Sequence, residues 1–212
     1  EVVDIFESGF DKKIGGCRAV LINSPSNPTG RVEAIETLKE IEAITERLGI
    51  PVISDEVYKD LIYERENYRI QGAHVITVNS FSKTYAMCGV RVGYLWSADP
   101  RIVDQVIELK THTSMNTNLV GQDMALRAMG APREYVAEQK HIWRERRDFI
   151  YEKMLAMGLD LWKPEGAFYV YPSCEGTIGR KARSGRTIAS DEDFVSELLE
   201  QEGVAVVHGS AF

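Results

Sequence analysis

The chain has 212 residues, 44% of them hydrophobic, and a formal net charge of −7. That length builds one substantial core or two smaller ones, and an acidic chain with no basic block matches neither nucleic acid nor an anionic membrane surface. No apolar run reaches the roughly 18 residues that span a bilayer, no secretory leader pattern opens the sequence, and Cys17, Cys88 and Cys174 read as free thiols of a reducing, cytoplasmic setting.

Ala19 to Asn23 is a continuous apolar run that ends in Ser24-Pro25-Ser26-Asn27-Pro28-Thr29-Gly30. It reads as a buried strand entering a turn-rich loop. Ala34, Leu38, Ile41, Thr45 and Leu48 then recur at helical spacing, and Gly49 ends the helix. Pro51 to Ser54 is a second strand, leading into Asp55-Glu56-Val57-Tyr58. His74 to Val78 is a third, leading into Asn79-Ser80-Phe81-Ser82-Lys83-Thr84. Strand, helix and strand in this order imply an α/β fold with parallel buried strands. The link from Val78 to a fourth apolar run, Val92 to Trp96, is too short for a helical crossover. That strand is therefore expected to run antiparallel, making a mixed, mostly parallel sheet.

Asp99-Pro100 opens a helix to about Lys110. Another is expected over Leu119 to Met129, and a long charged one over Arg133 to Met157, with Tyr135, Ile142, Phe149 and Met154 on its apolar side. The remainder reads as a small α+β unit, with a strand at Ala167 to Tyr171, a helix at Asp191 to Glu202 and a strand at Val204 to Val207. The expected divisions are 1–131, 132–157 and 158–212. The basic loop Gly179 to Arg186 reads first as a solvated loop; the lesser reading places it over an anionic substrate. The four histidines lie apart, so no metal site is expected.

Ligands of open α/β sheets bind beyond the carboxyl ends of the strands. Asn27, Asp55 with Tyr58, and Ser80 with Lys83 each follow a strand, which brings them to one sheet edge. Lysine there forms an imine with an aldehyde, and a nearby arginine grips a phosphate. Pyridoxal 5′-phosphate (PLP) needs that combination. Asp55 suits a pyridine nitrogen, Tyr58 and Asn27 the ring oxygen, and Ser80 and Arg91 the phosphate, with Ser82 a weaker candidate. Taken singly, each has a plainer reading. Asn27 before Pro28 is a turn former, Asp55 a helix N-cap, Tyr58 a core or rim residue and Arg91 a surface ion pair.

Ser24 to Gly30, Ser54 to Tyr58, and Ser80 to Lys83 with Arg91-Val92-Gly93-Tyr94 together resemble the class I/II aminotransferases of PLP fold type I. Gly166-Ala167-Phe168-Tyr169 and Val206 to Phe212 resemble that family's small-domain strand and late substrate-side loop. The resemblance implies that Lys83 binds the cofactor aldehyde and then moves the 1,3-proton. It implies that Asp55 holds the pyridinium, Tyr58 and Asn27 the ring oxygen, and Ser80 and Arg91 the phosphate. The implied reaction passes an amino group from an amino acid to a 2-oxo acid, in a homodimer. Two departures stand out: the family's upstream phosphate loop with its ring-stacking aromatic, and its downstream carboxylate-binding arginine, have no counterpart here. The chain is thus expected to be an interior piece that associates through exposed apolar edges. A β-lyase or other lyase of the same fold, or a non-catalytic regulatory module, are the competing readings.

Overall fold

The computed structural model describes residues 14–212. Four strands, β1 (Val20–Asn23), β2 (Val52–Asp55), β3 (Val75–Ser80) and β4 (Gly93–Ser97), lie side by side in that order. The first three are parallel and β4 is antiparallel to β3, as the short link after Val78 requires. Helix α1 (Ile35–Leu48) connects β1 to β2. Its Leu38, Ile41 and Thr45 are buried, and Gly49 closes it in the left-handed region at φ 66°, its N–H donating to the Thr45 and Glu46 carbonyls. Ile22, Leu38, Ile41, Ile50, Val52, Ile70 and Val75 form the core on that face. Thr45 is fully buried there, its hydroxyl donating to the Ile41 carbonyl (2.6 Å) and meeting His74 Nε2 (3.1 Å).

The crossing from β3 to β4 is a single helical turn, α2 (Phe81–Thr84), followed by a 3-10 turn. Gly93 is required where β4 begins. A Cβ there would lie 2.7 Å from the Asn79 carbonyl oxygen. Phe81, Val92 and Ala125 bury a second small core beneath this turn.

Helices α3 (Pro100–Thr113), α4 (Leu119–Met129) and α5 (Arg133–Ala156) follow. Asp99 caps α3 ahead of Pro100, and the helix continues three residues beyond the expected Lys110. Of the four residues expected on the apolar side of α5, Tyr135, Ile142 and Met154 are half-buried, but Phe149 is not. Phe149 is exposed, and Arg147 is buried instead. The Arg147 guanidinium grips Glu64 with both terminal nitrogens (2.7 and 2.5 Å), donates to the Pro164 carbonyl (2.8 Å) and lies over the Tyr63 ring. A polar pocket satisfies a long cationic side chain here, so the helix needs no continuous apolar stripe.

Two expected strands are absent. Ala167 to Tyr171 is a loop, because Ala167 adopts a left-handed φ of 55° and its N–H donates to the Leu61 carbonyl (2.8 Å) across an isolated bridge between Ile62 and Gly166. Val204 to Val207 carries no regular secondary structure and is paired to no strand among the described residues. Residues 158–212 instead carry the hairpin β5 (Asp160–Leu161) with β6 (Pro172–Ser173), and helix α6 (Asp191–Glu202) capped by Ser190. The basic loop folds onto α6, with Arg186 paired to Asp193, Arg183 to Glu202 and Ser184 donating to Glu197. Arg183 and Arg186 are thus committed to that helix, whereas Arg180 and Lys181 form no ion pair among the described residues. No described helix is long and apolar enough to cross a membrane.

Candidate active site

The site lies where β1, β2 and β3 end. β1 runs into the loop carrying Asn27, whose N–H donates to Asn23 Oδ1 (2.6 Å). Asn23 is the register partner of Asp55 on β2, so the Asn27 loop springs from the strand beside the acid. The Asn27 side chain itself is exposed.

Asp55 ends β2 beside Val78 of β3. No helix follows it, so the N-cap reading gives way to a tight turn in which the Val57 N–H donates to Asp55 Oδ1 (3.1 Å). Among the described residues no cation pairs with this carboxylate. The next residue, Glu56, faces elsewhere and is buried: one oxygen accepts from Arg69 Nε (2.8 Å) and the other has no protein partner.

Tyr58 is buried, and its hydroxyl meets that of Tyr169 at 2.5 Å. Burial, first, and then nearby negative charge, that of Asp55 included, push the Tyr58 phenol above its ordinary range. The Tyr58 ring stands edge-on to both Phe168 (5.4 Å) and Tyr169 (5.6 Å), and Trp143 stacks on Phe168 (4.7 Å).

Ser80 ends β3 and caps α2: its hydroxyl accepts the Ser82 N–H (3.0 Å) and donates to Ser82 Oγ (2.8 Å). Lys83 sits on that turn, with Nζ 5.6 Å from the centre of the Tyr58 ring and 5.2 Å from that of Phe168. Both lie within cation–π range. Among the described residues Lys83 forms no ion pair, so its amine is uncommitted. The turn is anchored by the buried Thr84, whose hydroxyl donates to Asp60 Oδ2 (2.9 Å). Arg91 is exposed, in the left-handed region at φ 61°, and its guanidinium donates to the Cys88 carbonyl (2.9 Å) rather than forming the surface ion pair of its plainer reading.

Lys83 thus lies within cation–π range of Tyr58, and Asp55 is close enough to act electrostatically on the same phenol. Ser80 and Ser82 share the Lys83 turn. Arg91 bonds the Cys88 carbonyl, and among the described residues no hydrogen bond joins its guanidinium or the Asn27 side chain to that group. Sequence reasoning missed Phe168, Tyr169, Trp143 and Asp60. The aromatic pair after Gly166-Ala167 was visible, but its reading as a strand hid its place beside Lys83.

The profile of the family described as aminotransferase class I and II matches residues 7–212. The chain is 40% identical over 209 residues to a probable aspartate/prephenate aminotransferase of Rhizobium leguminosarum bv. phaseoli, which covers 91% of this chain and 50% of that protein. It is 35% identical over 204 residues to an aspartate aminotransferase of Thermotoga maritima, covering 94% of this chain and 50% of the relative. Among solved structures, Thermotoga maritima aspartate aminotransferase superposes with a TM-score of 0.80 at 34% identity, over 93% of this chain and 49% of the other. The enzyme of that name from Rhizobium meliloti gives 0.84 at 30% identity, over 95% and 54%. The chain spans about half the length of the curated relatives it matches.

Proposed function

Because the chain belongs to the class I and II aminotransferase family, we propose that the complete protein is a PLP-dependent aminotransferase that moves an amino group between an amino acid and a 2-oxo acid. The observation that carries this reading is Lys83, an unpaired amine on a rigid turn at a strand end, flanked by the buried Tyr58 phenol with an unpaired Asp55 at the next strand end. An uncommitted amine, an uncommitted carboxylate and a phenol at one sheet edge are a donor set that fits PLP. When bound, PLP supplies an aldehyde that captures primary amines and a protonated heteroaromatic ring that accepts the electron pair left by a broken C–H bond.

The chain's own residues have the following tasks. Asp55 holds the ring nitrogen's proton, and its negative charge keeps that nitrogen cationic. Tyr58 and Asn27 donate to the ring oxygen. Ser80 Oγ and the Arg91 guanidinium, which now donates to the Cys88 carbonyl, would hold the phosphate. Lys83 Nζ, as the neutral amine, would be the base that takes the proton from the substrate carbon and, once protonated, the acid that returns it two atoms away. Phe168 and Trp143 exclude water from that amine.

The names of the relatives support amino transfer over a lyase reaction, and they make aspartate the first donor to try. The homodimer and the cytoplasmic setting belong to the same proposal. The test is borohydride reduction of the complete natural chain with PLP, followed by peptide mapping. The label is expected on Lys83, and Lys83→Ala is expected to abolish it and to lower turnover by at least about 10²–10⁴-fold. A label on another lysine overturns the assignment.

A further inference from the structure

We propose that Tyr169 is a positioning residue that acts through Tyr58: its hydroxyl donates to the Tyr58 oxygen and leaves the Tyr58 proton facing the cofactor's ring oxygen. This rests on the reading of the site given above. The two hydroxyls meet at 2.5 Å, and either is able to donate. A phenol has one proton and two acceptor lone pairs. If Tyr58 spent its proton on Tyr169, it would have none for the ring oxygen. Tyr58 is buried and edge-packed by Phe168 and Tyr169, which leaves its hydroxyl little freedom to turn away.

Tyr169 is itself held in place from both sides of the site. The Gly166 N–H donates to the Gly30 carbonyl (2.9 Å), which fixes the segment to the loop after β1. The Ala167 N–H donates to the Leu61 carbonyl, and the Tyr63 hydroxyl to the Ala167 carbonyl, which fixes it to the loop after β2. The fit at Gly166 is close: a Cβ there would lie 2.7 Å from Pro25 Cγ and 3.0 Å from the Leu61 carbonyl oxygen. A residue 111 positions downstream of Tyr58 is thereby locked onto its hydroxyl.

The experiment follows the visible band of PLP bound to the complete natural chain as pH is raised. A donor to the ring oxygen stabilises negative charge there and weakens proton binding beside it. Tyr58→Phe should therefore move the midpoint of the colour change to higher pH. Tyr169→Phe should move it the same way, by about half a pH unit, the equivalent of one weakened hydrogen bond. The double variant should match Tyr58→Phe alone, because Tyr169 acts only through Tyr58. A Tyr169→Phe midpoint equal to wild type overturns the proposal, even if the variant melts earlier or binds PLP less tightly. So does a double variant in which the two shifts add. A wild-type protein with no PLP band overturns the functional reading itself and this proposal with it; a normal band that is unmoved by Tyr58→Phe removes Tyr58 from the ring-oxygen role.

Discussion

Two regions of this molecule are held together by different balances of apolar and polar contact. The sheet and α1 close on an apolar core, in which Val52, Val75 and Leu38 are almost wholly buried. The junction that brings residues 164–169 against the sheet edge has only a small apolar cluster, Tyr58, Leu61 and Ala167 with Trp143, Phe168 and Tyr169 against it, and is oriented by polar groups: Arg147 on Glu64 and the Pro164 carbonyl, Arg65 on Glu165 (2.6 Å), and the backbone bonds of Glu165 and Gly166 to Gly30. Apolar burial is non-directional and sets how stable the sheet is. Hydrogen bonds are directional, so the polar junction sets where Phe168 and Tyr169 stand relative to Lys83. The difference teaches that stability and site geometry reside in separate parts of the chain, and that each is open to separate attack.

The largest effect on folding should come from the apolar region. Leu38→Ala should cost about 2–5 kcal/mol, because it leaves a cavity under β2. Denaturant unfolding measures this. In folded protein, the amides of Gly166 and Ala167 should exchange with solvent as slowly as in wild type. Arg147→Ala should cost less, about 1–3 kcal/mol: Glu64 is half-exposed and recovers water, whereas the Pro164 carbonyl loses its donor. Its signature should be local, with faster hydrogen exchange at Gly166 and Ala167 and unchanged exchange in β2 and β3. Uniform loss of protection in the Arg147 variant would show that the two regions are one cooperative unit and would break the comparison.

The apolar region was legible in the sequence and the polar junction was not, for the same reason. The helical spacing of Leu38, Ile41 and Thr45 registers burial locally, the Ala19 to Ile22 run forms the expected strand but buries only Ile22 and leaves Leu21 exposed, and the short link after Val78 decided the direction of β4. Lys83, Asp55 and Tyr58 were found because each stands directly after a strand. Arg147 was overlooked because an amphipathic reading assigns a cation to the solvent side, and Phe149, which it favoured, points outward. The Ala167 to Tyr171 run has a strand's composition, yet one left-handed alanine and a bond to Leu61 make it a loop. Neither a backbone angle nor a partner more than 100 residues away leaves a periodic trace. The contact of Tyr169 with Tyr58 is invisible for that reason.

The smallest expected effect is on pH dependence. The hydrogen bond from Arg147, with the charges of Arg144 and Lys163 nearby, outweighs partial burial and holds the Glu64 carboxyl below its ordinary value of 4.5. Asp148, on the other side of the same guanidinium, is also lowered: partial burial raises it, but the Lys163 hydrogen bond and the Arg147 charge outweigh that. Both groups bind protons more readily when unfolded than when folded. Their contribution to stability is therefore complete above the unfolded carboxylate range and is lost as pH falls through their folded values. Exposure to water keeps the effect small. Glu64→Gln should flatten the acid limb of a stability–pH curve measured by denaturant unfolding, with little change near neutral pH beyond the loss of one ion pair. Leu38→Ala should lower the whole curve without changing its slope. A Glu64→Gln curve parallel to wild type down to pH 3 would mean that the guanidinium exerts no hold on that carboxyl, and that the segment is kept on the sheet edge without this ion pair.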